Sequence, residues 1–153
     1  MSGAGAVLTA IRTHARGSRR RTLVIDGDPW GTIPVEVLRD LDLREGDELD
    51  LADLEERIAE AAPPRARERA LRLLMYRERS AHELLDRLTD DGYPENIVRE
   101  LVASLTTSGL VDDSRFAENY ARVLVVSRGY GRPRAMRELL AKGIAEELAL
   151  EAL

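Results

Sequence analysis

Between Arg122 and Lys142 the chain carries six basic residues against a single acid, Glu138, although its formal net charge is −5. Arg132, Arg134 and Arg137 flank a Gly129-Tyr130-Gly131 loop and open a helix, where a cation opposes the positive end of the helix dipole. So unfavourable a local placement points to an anion supplied from outside, a phosphate or a carboxylate, both of which the planar guanidinium fork matches. Tyr130 beside them can stack on a base, pack against a partner or simply serve the fold. Arg77 and Arg128 fall at helix ends, where a cation complements the negative end of the dipole, so recognition and helix-end pairing are both open for that pair. Arg79, Arg115 and Lys142 complete the candidate contact set.

The charge distribution says more than its sum. Residues 1–35 hold five Arg against two acids, residues 36–62 hold three Arg against eleven acids, and residues 63–153 hold fifteen of each sign. A local positive surface is compatible with an acidic protein of this kind. Every basic residue except Lys142 is arginine. Codon bias accounts for that choice of residue but not for the clustering.

Catalytic and metal-binding patterns do not assemble. The adjacent carboxylates Asp90-Asp91 and Asp112-Asp113 sit on turns, where neighbours seldom converge on one substrate atom, and Asp113 reads better as a helix N-cap. Gly129-Tyr130-Gly131 follows no strand and lacks the Gly-Lys-Ser/Thr of a phosphate loop. His82 reads as a solvated residue near a helix start, and His14 has no second ligand nearby. The absence of cysteine removes disulfides, thiolate sites and a thiol nucleophile. No run of about 18 apolar residues and no secretory leader is present, so the expectation is a cytoplasmic, non-enzymatic protein without cofactor, metal or membrane contact.

The elements that must position the arginines repeat. Ala70 is echoed 51 positions later by Ala121, Leu73 by Leu124, Leu74 by Val125, Arg77 by Arg128, Ser80 by Gly131, Leu88 by Leu139, Gly92 by Gly143 and Ile97 by Leu148. One supersecondary unit used twice explains such an echo, because each copy has an apolar face that it cannot bury alone. The fold expected is mostly α, with tandem three-helix repeats over residues 65–109 and 110–153. An α+β amino-terminal extension over residues 1–62 precedes them, built from a small β-hairpin and helices. Thr22 to Ile25, Asp26-Gly27-Asp28 and Trp30 to Ile33 pattern as the hairpin, and Pro34 is expected in the first turn of the following helix. Another helix is expected over about Leu51 to Ala62, broken by Pro63-Pro64. Ser80-x-x-Glu83 is a capping box, Gly109 a left-handed helix end, and Met136, Leu139 and Leu140 are expected to face the core.

The segments ALRLLMYRERSAHELLDRL, GLVDDSRFAENYA and GYGRPRAMRELLAKGI, in that order and spacing, resemble the RecX family of regulatory proteins over about Ala66 to Leu153. The resemblance implies tandem three-helix units, agreeing with the echo, and a role in DNA repair and the SOS response. It also implies that the chain lies along the RecA filament on single-stranded DNA and inhibits strand exchange and ATP hydrolysis. Family members carry three units, and only two are legible here, so the third is expected to be absent. The arginine set is then a patch that meets RecA or the DNA backbone, with weak direct DNA binding as an accompaniment. The rival reading is a helical DNA-binding module that acts independently of RecA.

Overall fold

The computed structural model describes residues 5–153 of the chain, which divides into two compact units. One runs up to Arg69 and takes in Leu88–Val98; the other comprises Ala70–Arg87 and Arg99–Leu153.

In the first unit, strands β1 (Ala6–Thr13), β2 (Arg20–Ile25), β3 (Asp28–Pro34) and the two-residue β4 (Glu48–Leu49) form an antiparallel sheet in the order β3-β2-β1-β4. The β2–β3 hairpin closes on Asp26 and Gly27, with φ of +50° and +85°, the two successive positive values that a tight hairpin turn needs to follow strand twist. Glu45 Oε1 accepts the outward Ile11 N–H of β1 at 2.9 Å, so a side chain satisfies part of an otherwise open sheet edge. Helix α1 (Val35–Leu41) buries Val37 and Leu41, and the sheet buries Leu8, Leu23 and Ile33. Pro34 is the N-cap in extended conformation, still part of β3, rather than a residue of the first helical turn.

Helix α2 (Leu51–Tyr76) runs through Pro63 and Pro64, contrary to the expected break. A proline costs a helix its N–H hydrogen bond and crowds the preceding turn, so packing must compensate. Ala62 and Ala66, on either side of the prolines, are fully buried. Arg57 donates to the Leu41 carbonyl at 2.9 Å, and Arg65 grips Asp40 with two bonds of 2.7 and 2.6 Å. These contacts hold the helix to α1 on both sides of the prolines, so tertiary packing overrides local preference. The hydrogen bonds from Arg65 hold the Asp40 carboxyl below its ordinary value.

The turn Asp91-Gly92-Tyr93 closes the first unit. Gly92 has φ of +104°, and a Cβ there would lie 3.2 Å from the Pro34 nitrogen. Arg69 Nε donates to buried Asp91 at 3.0 Å, the Tyr93 hydroxyl donates to buried Glu36 at 3.1 Å, and Arg19 pairs with Glu36. Burial pushes the Tyr93 hydroxyl up to about 12.

Helices α3 (Ala81–Asp90) and α4 (Glu95–Thr107) belong partly to each unit, and α4 ends before Gly109 at φ +83°. The second unit continues with α5 (Asp113–Arg122), a π turn (Val123–Ser127), α6 (Arg132–Ala141) and α7 (Glu146–Ala152). Phe116, Ala117, Ala121, Leu124, Ala135, Leu139, Ile144 and Ala149 form its core, with Met136 and Leu148 packed against them. Leu140 is 44% exposed, so the expected inward stripe of α6 holds for Leu139 and Met136 only. The cap of α5 is Asp112, whose carboxylate accepts the Arg115 N–H at 3.0 Å. Asp113, expected in that role, instead accepts the Ala81 N–H at 2.8 Å at the start of α3.

The 51-residue echo is physical as well as textual. Ala70 and Ala121, Leu73 and Leu124, and Leu88 and Leu139 are all buried. The Gly92 N–H bonds to Thr89 O and the Tyr93 N–H to Leu88 O; 51 residues on, Gly143 bonds to Leu140 and Ile144 to Leu139. Both copies therefore end their middle helix on the same glycine motif, whose left-handed residue lets two orphan carbonyls find donors.

Candidate functional site

Of the nine contact residues read from the sequence, four are engaged within the fold, four are arginines turned outward, and Tyr130 is half-buried against the core. Arg77 ends α2 and reaches the Glu83 carboxylate at 2.8 Å and the Glu78 carbonyl at 2.8 Å. Arg79 donates to the Leu73 carbonyl at 3.2 Å. Arg115 binds Glu78 at 2.6 Å and the Gly109 carbonyl at 3.2 Å. Lys142 reaches Glu83 at 3.3 Å, with its Nζ 5.7 Å from the centroid of the Tyr120 ring.

Glu83 organises this group. Its carboxylate faces both Arg77 and Lys142 while also accepting the Ser80 N–H at 3.2 Å, and Ser80 Oγ accepts the Glu83 N–H at 3.1 Å. The capping box legible in the sequence is thus formed, with a second task that sequence did not announce: Ser80 Oγ also donates to the Lys142 carbonyl at 2.6 Å. Burial pushes the Glu83 carboxyl up, but the hydrogen bonds from Arg77 and Ser80, with the charges of Arg77 and Lys142, outweigh it and leave the group below its ordinary value. The bond to Glu83 likewise raises Arg77, so both members of the pair stay charged at neutral pH.

The outward group is Arg128, Arg132, Arg134 and Arg137, with Tyr130 half-buried against the core beside them. Among the described residues none of these arginines forms a salt bridge, nor does Arg122. Arg134 lies over the Tyr130 ring, 3.7 Å from its centroid, so one face of that tyrosine is already covered by a guanidinium. Tyr130 donates its N–H to the Leu124 carbonyl at 2.9 Å, which fixes the loop to the end of the π turn. Gly131 caps α6 without any side-chain hydrogen bond, whereas its echo Ser80 supplies one to α3. The second copy has therefore lost the serine and the acid of the capping box, with Arg134 standing where the first copy has Glu83.

The π turn is the feature that sequence reasoning missed. Arg128 N–H bonds to the Val123 carbonyl five residues back at 3.0 Å, whereas its echo Arg77 bonds four residues back to Leu73 at 3.3 Å. Such wide turns are rare and collect at functional positions. This one presents Val123, Val125 and Val126 to solvent. The run Val123-Leu124-Val125-Val126 offers a weak signal at most, since β-branched residues lower helix propensity without specifying a wide turn.

Arg77, Glu78, Phe116, Asn119, Tyr120, Val123, Arg128 and Lys142 surround a cavity of about 460 Å³ in the second unit. Arg77 and Arg128, 51 residues apart in sequence, thus line one space. Among the described residues no group of three His, Cys, Asp or Glu could hold a metal, and no helix is long and apolar enough to cross a membrane.

Comparison with known proteins agrees with the repeat. The description "RecX, first three-helix domain" matches residues 66–105, and "RecX, second three-helix domain" matches residues 112–153. The regulatory protein RecX of Bacillus velezensis is 32% identical over 146 residues, covering 95% of this chain and 56% of that relative. That of Mycolicibacterium smegmatis is 37% identical over 99 residues, covering 61% and 53% respectively. A crystal structure of regulatory protein RecX matches 97% of this chain and 72% of its own, with a TM-score of 0.60 at 26% identity. The chain spans about half the length of the curated relatives it matches.

Proposed function

The chain belongs to the RecX family of regulatory proteins, and from that premise we propose that it binds the RecA recombinase filament on single-stranded DNA and inhibits its recombination and ATPase activities. The observation that carries the reading is the set of second-unit arginines that form no salt bridge among the described residues, within the second of two matched three-helix domains. Guanidinium groups that form no salt bridge among the described residues can meet carboxylates of an acidic protein surface or phosphates of the strand the filament holds. Gly131 and Pro133 keep Arg132 and Arg134 at a helix start with no side-chain cap and no acid in its first turn, and among the described residues neither arginine forms a salt bridge.

Inhibition has a simple thermodynamic form. A protein that contacts an assembled filament alters the assembly equilibrium, or the cycling of its ATP, only by as much as it prefers one filament state over another. The test is RecA ATPase on single-stranded DNA with increasing amounts of this protein, alongside the variant carrying Arg132→Glu, Arg134→Glu and Arg137→Glu. Falling ATPase with the parent chain and weaker inhibition with the variant is expected. No effect of the parent at stoichiometric excess would remove the reading.

A further inference from the structure

We propose that the cavity of about 460 Å³ lined by Arg77, Arg128, Lys142, Phe116, Tyr120 and Val123 binds the phosphate of a nucleotide unit, with the nucleotide's ring system against the apolar side of the cavity. The proposal deepens the reading above by giving it a phosphate contact on this chain, and it is testable without RecA.

The charge balance of the cavity comes first. Glu78, the carboxylate on its lining, is engaged by Arg115 Nε at 2.6 Å and by Asn119 Nδ2 at 3.1 Å. Behind the lining, the single charge of Glu83 is shared by Arg77 at 2.8 Å and Lys142 at 3.3 Å. Arg128 forms no salt bridge among the described residues. Three cations therefore face one carboxylate that is not otherwise neutralised, and the space carries an excess of two positive charges. A phosphate takes that excess better than a lone side-chain carboxylate, and arginine forks bind its oxygens in pairs.

The shape points the same way. Phe116 and Tyr120 stand with ring centroids 5.5 Å apart, and Val123 is 41% exposed beside them. Apolar side chains beside a cluster of cations suit a ligand that carries both a planar ring and an anion, and the volume lies within the range of small-ligand sites. The π turn supplies the geometry, because Arg128 stands at its end and Val123 at its start.

The experiment titrates the isotopically labelled chain with a 15-nucleotide oligothymidylate, with ATP and with inorganic phosphate, and follows the Asn119 side-chain amide and the Tyr120 ring by NMR. Fluorescence anisotropy then measures the affinity of the labelled oligonucleotide for the parent, for Arg128→Gln and for Arg39→Gln, which makes the same charge change on α1. Expected are shifts of Asn119 and Tyr120 and about tenfold weaker binding for Arg128→Gln. Its salt slope should also fall by about 0.7, the value for one lost phosphate contact on a single strand. Arg39→Gln should bind within about twofold of the parent. Shifts with ATP as well as oligonucleotide assign the site to any nucleotide phosphate, and shifts with oligonucleotide alone assign it to the strand backbone; both support the proposal. Equal weakening by the two variants overturns it, as do unmoved Asn119 and Tyr120 signals, or a glutamate-rich peptide that shifts them where the oligonucleotide does not. With no RecA present, a failed titration leaves the filament reading standing, and a failed ATPase assay leaves the phosphate site standing.

Discussion

Replacing Gly143 by alanine tests the turn that carries Lys142 to its place beside Glu83. Two costs can be worked out separately. The backbone at Gly143 has φ of +77°, a left-handed conformation that costs an ordinary L-residue about 1–2 kcal/mol. A Cβ built there would lie 2.2 Å from His82 Cβ and 2.4 Å from its Cγ, far inside the separation of about 3.5–4.0 Å at which carbons pack. His82 cannot swing its own Cβ away, so the turn must lift from the start of α3, and overpacking of this kind costs about 1–3 kcal/mol. The total is about 2–5 kcal/mol. Gly109 provides the control, since its φ of +83° is nearly the same while a Cβ there meets nothing within 4 Å. Urea unfolding followed by far-ultraviolet circular dichroism should show Gly109→Ala losing about 1–2 kcal/mol and Gly143→Ala about 1–3 kcal/mol more. Equal losses from the two variants would refute the steric reasoning. A neutral Gly143→Ala would refute the turn's placement against His82 altogether.

Other expectations follow from the same contacts. Ser80→Ala removes a helix cap and the 2.6 Å bond to the Lys142 carbonyl, and should destabilise by about 2 kcal/mol in the same urea assay; a loss under about 0.5 kcal/mol would show that the buried hydroxyl contributes little. Glu83 is held below its ordinary value of 4.5, so its contribution is complete above that pH and is lost as the pH falls through the lower folded-state value. Glu83→Gln should therefore flatten the acid limb of the stability profile, and an acid limb superimposable on the parent's would refute the assignment. The Tyr93 phenol should ionise near pH 12, later than an unperturbed tyrosine, with Tyr93→Phe deleting that late step from the absorbance titration at alkaline pH. Arg132→Glu and Arg137→Glu should each leave unfolding within about 0.5 kcal/mol of the parent, since neither forms a salt bridge among the described residues, and Arg134→Glu should cost about 0.5–1 kcal/mol through its lost contact with the Tyr130 ring; larger losses would mean these side chains serve the fold.

Much of this protein was legible from residue order alone. The 51-residue echo, the capping box at Ser80 and Glu83, the Asp26-Gly27 hairpin and the left-handed glycine at 109 are local signals. They depend on helix period, cap chemistry and positive φ, which a short stretch of chain specifies for itself. The cluster of arginines in the second copy was visible for the same reason, since it is a matter of composition.

What the sequence could not decide were questions of partnership between distant residues. Pro63 and Pro64 look like a helix end until Ala62 and Ala66 are seen buried and Arg65 is seen gripping Asp40, 25 positions away. Asp112 and Asp113 are interchangeable as caps on paper, and only the approach of Ala81, 32 residues distant, gives the second carboxylate another task. Arg115 and Lys142 read as candidate contacts, and Arg77 as either a contact or a helix-end pair, until Glu78 and Glu83 come within 2.6–3.3 Å of them. Local order determined which side chains were charged and which turns would form, because those depend on neighbours in the chain. The tertiary structure decided which charges are spent inside the fold and which face outward, because an ion pair depends on a distance that only packing sets.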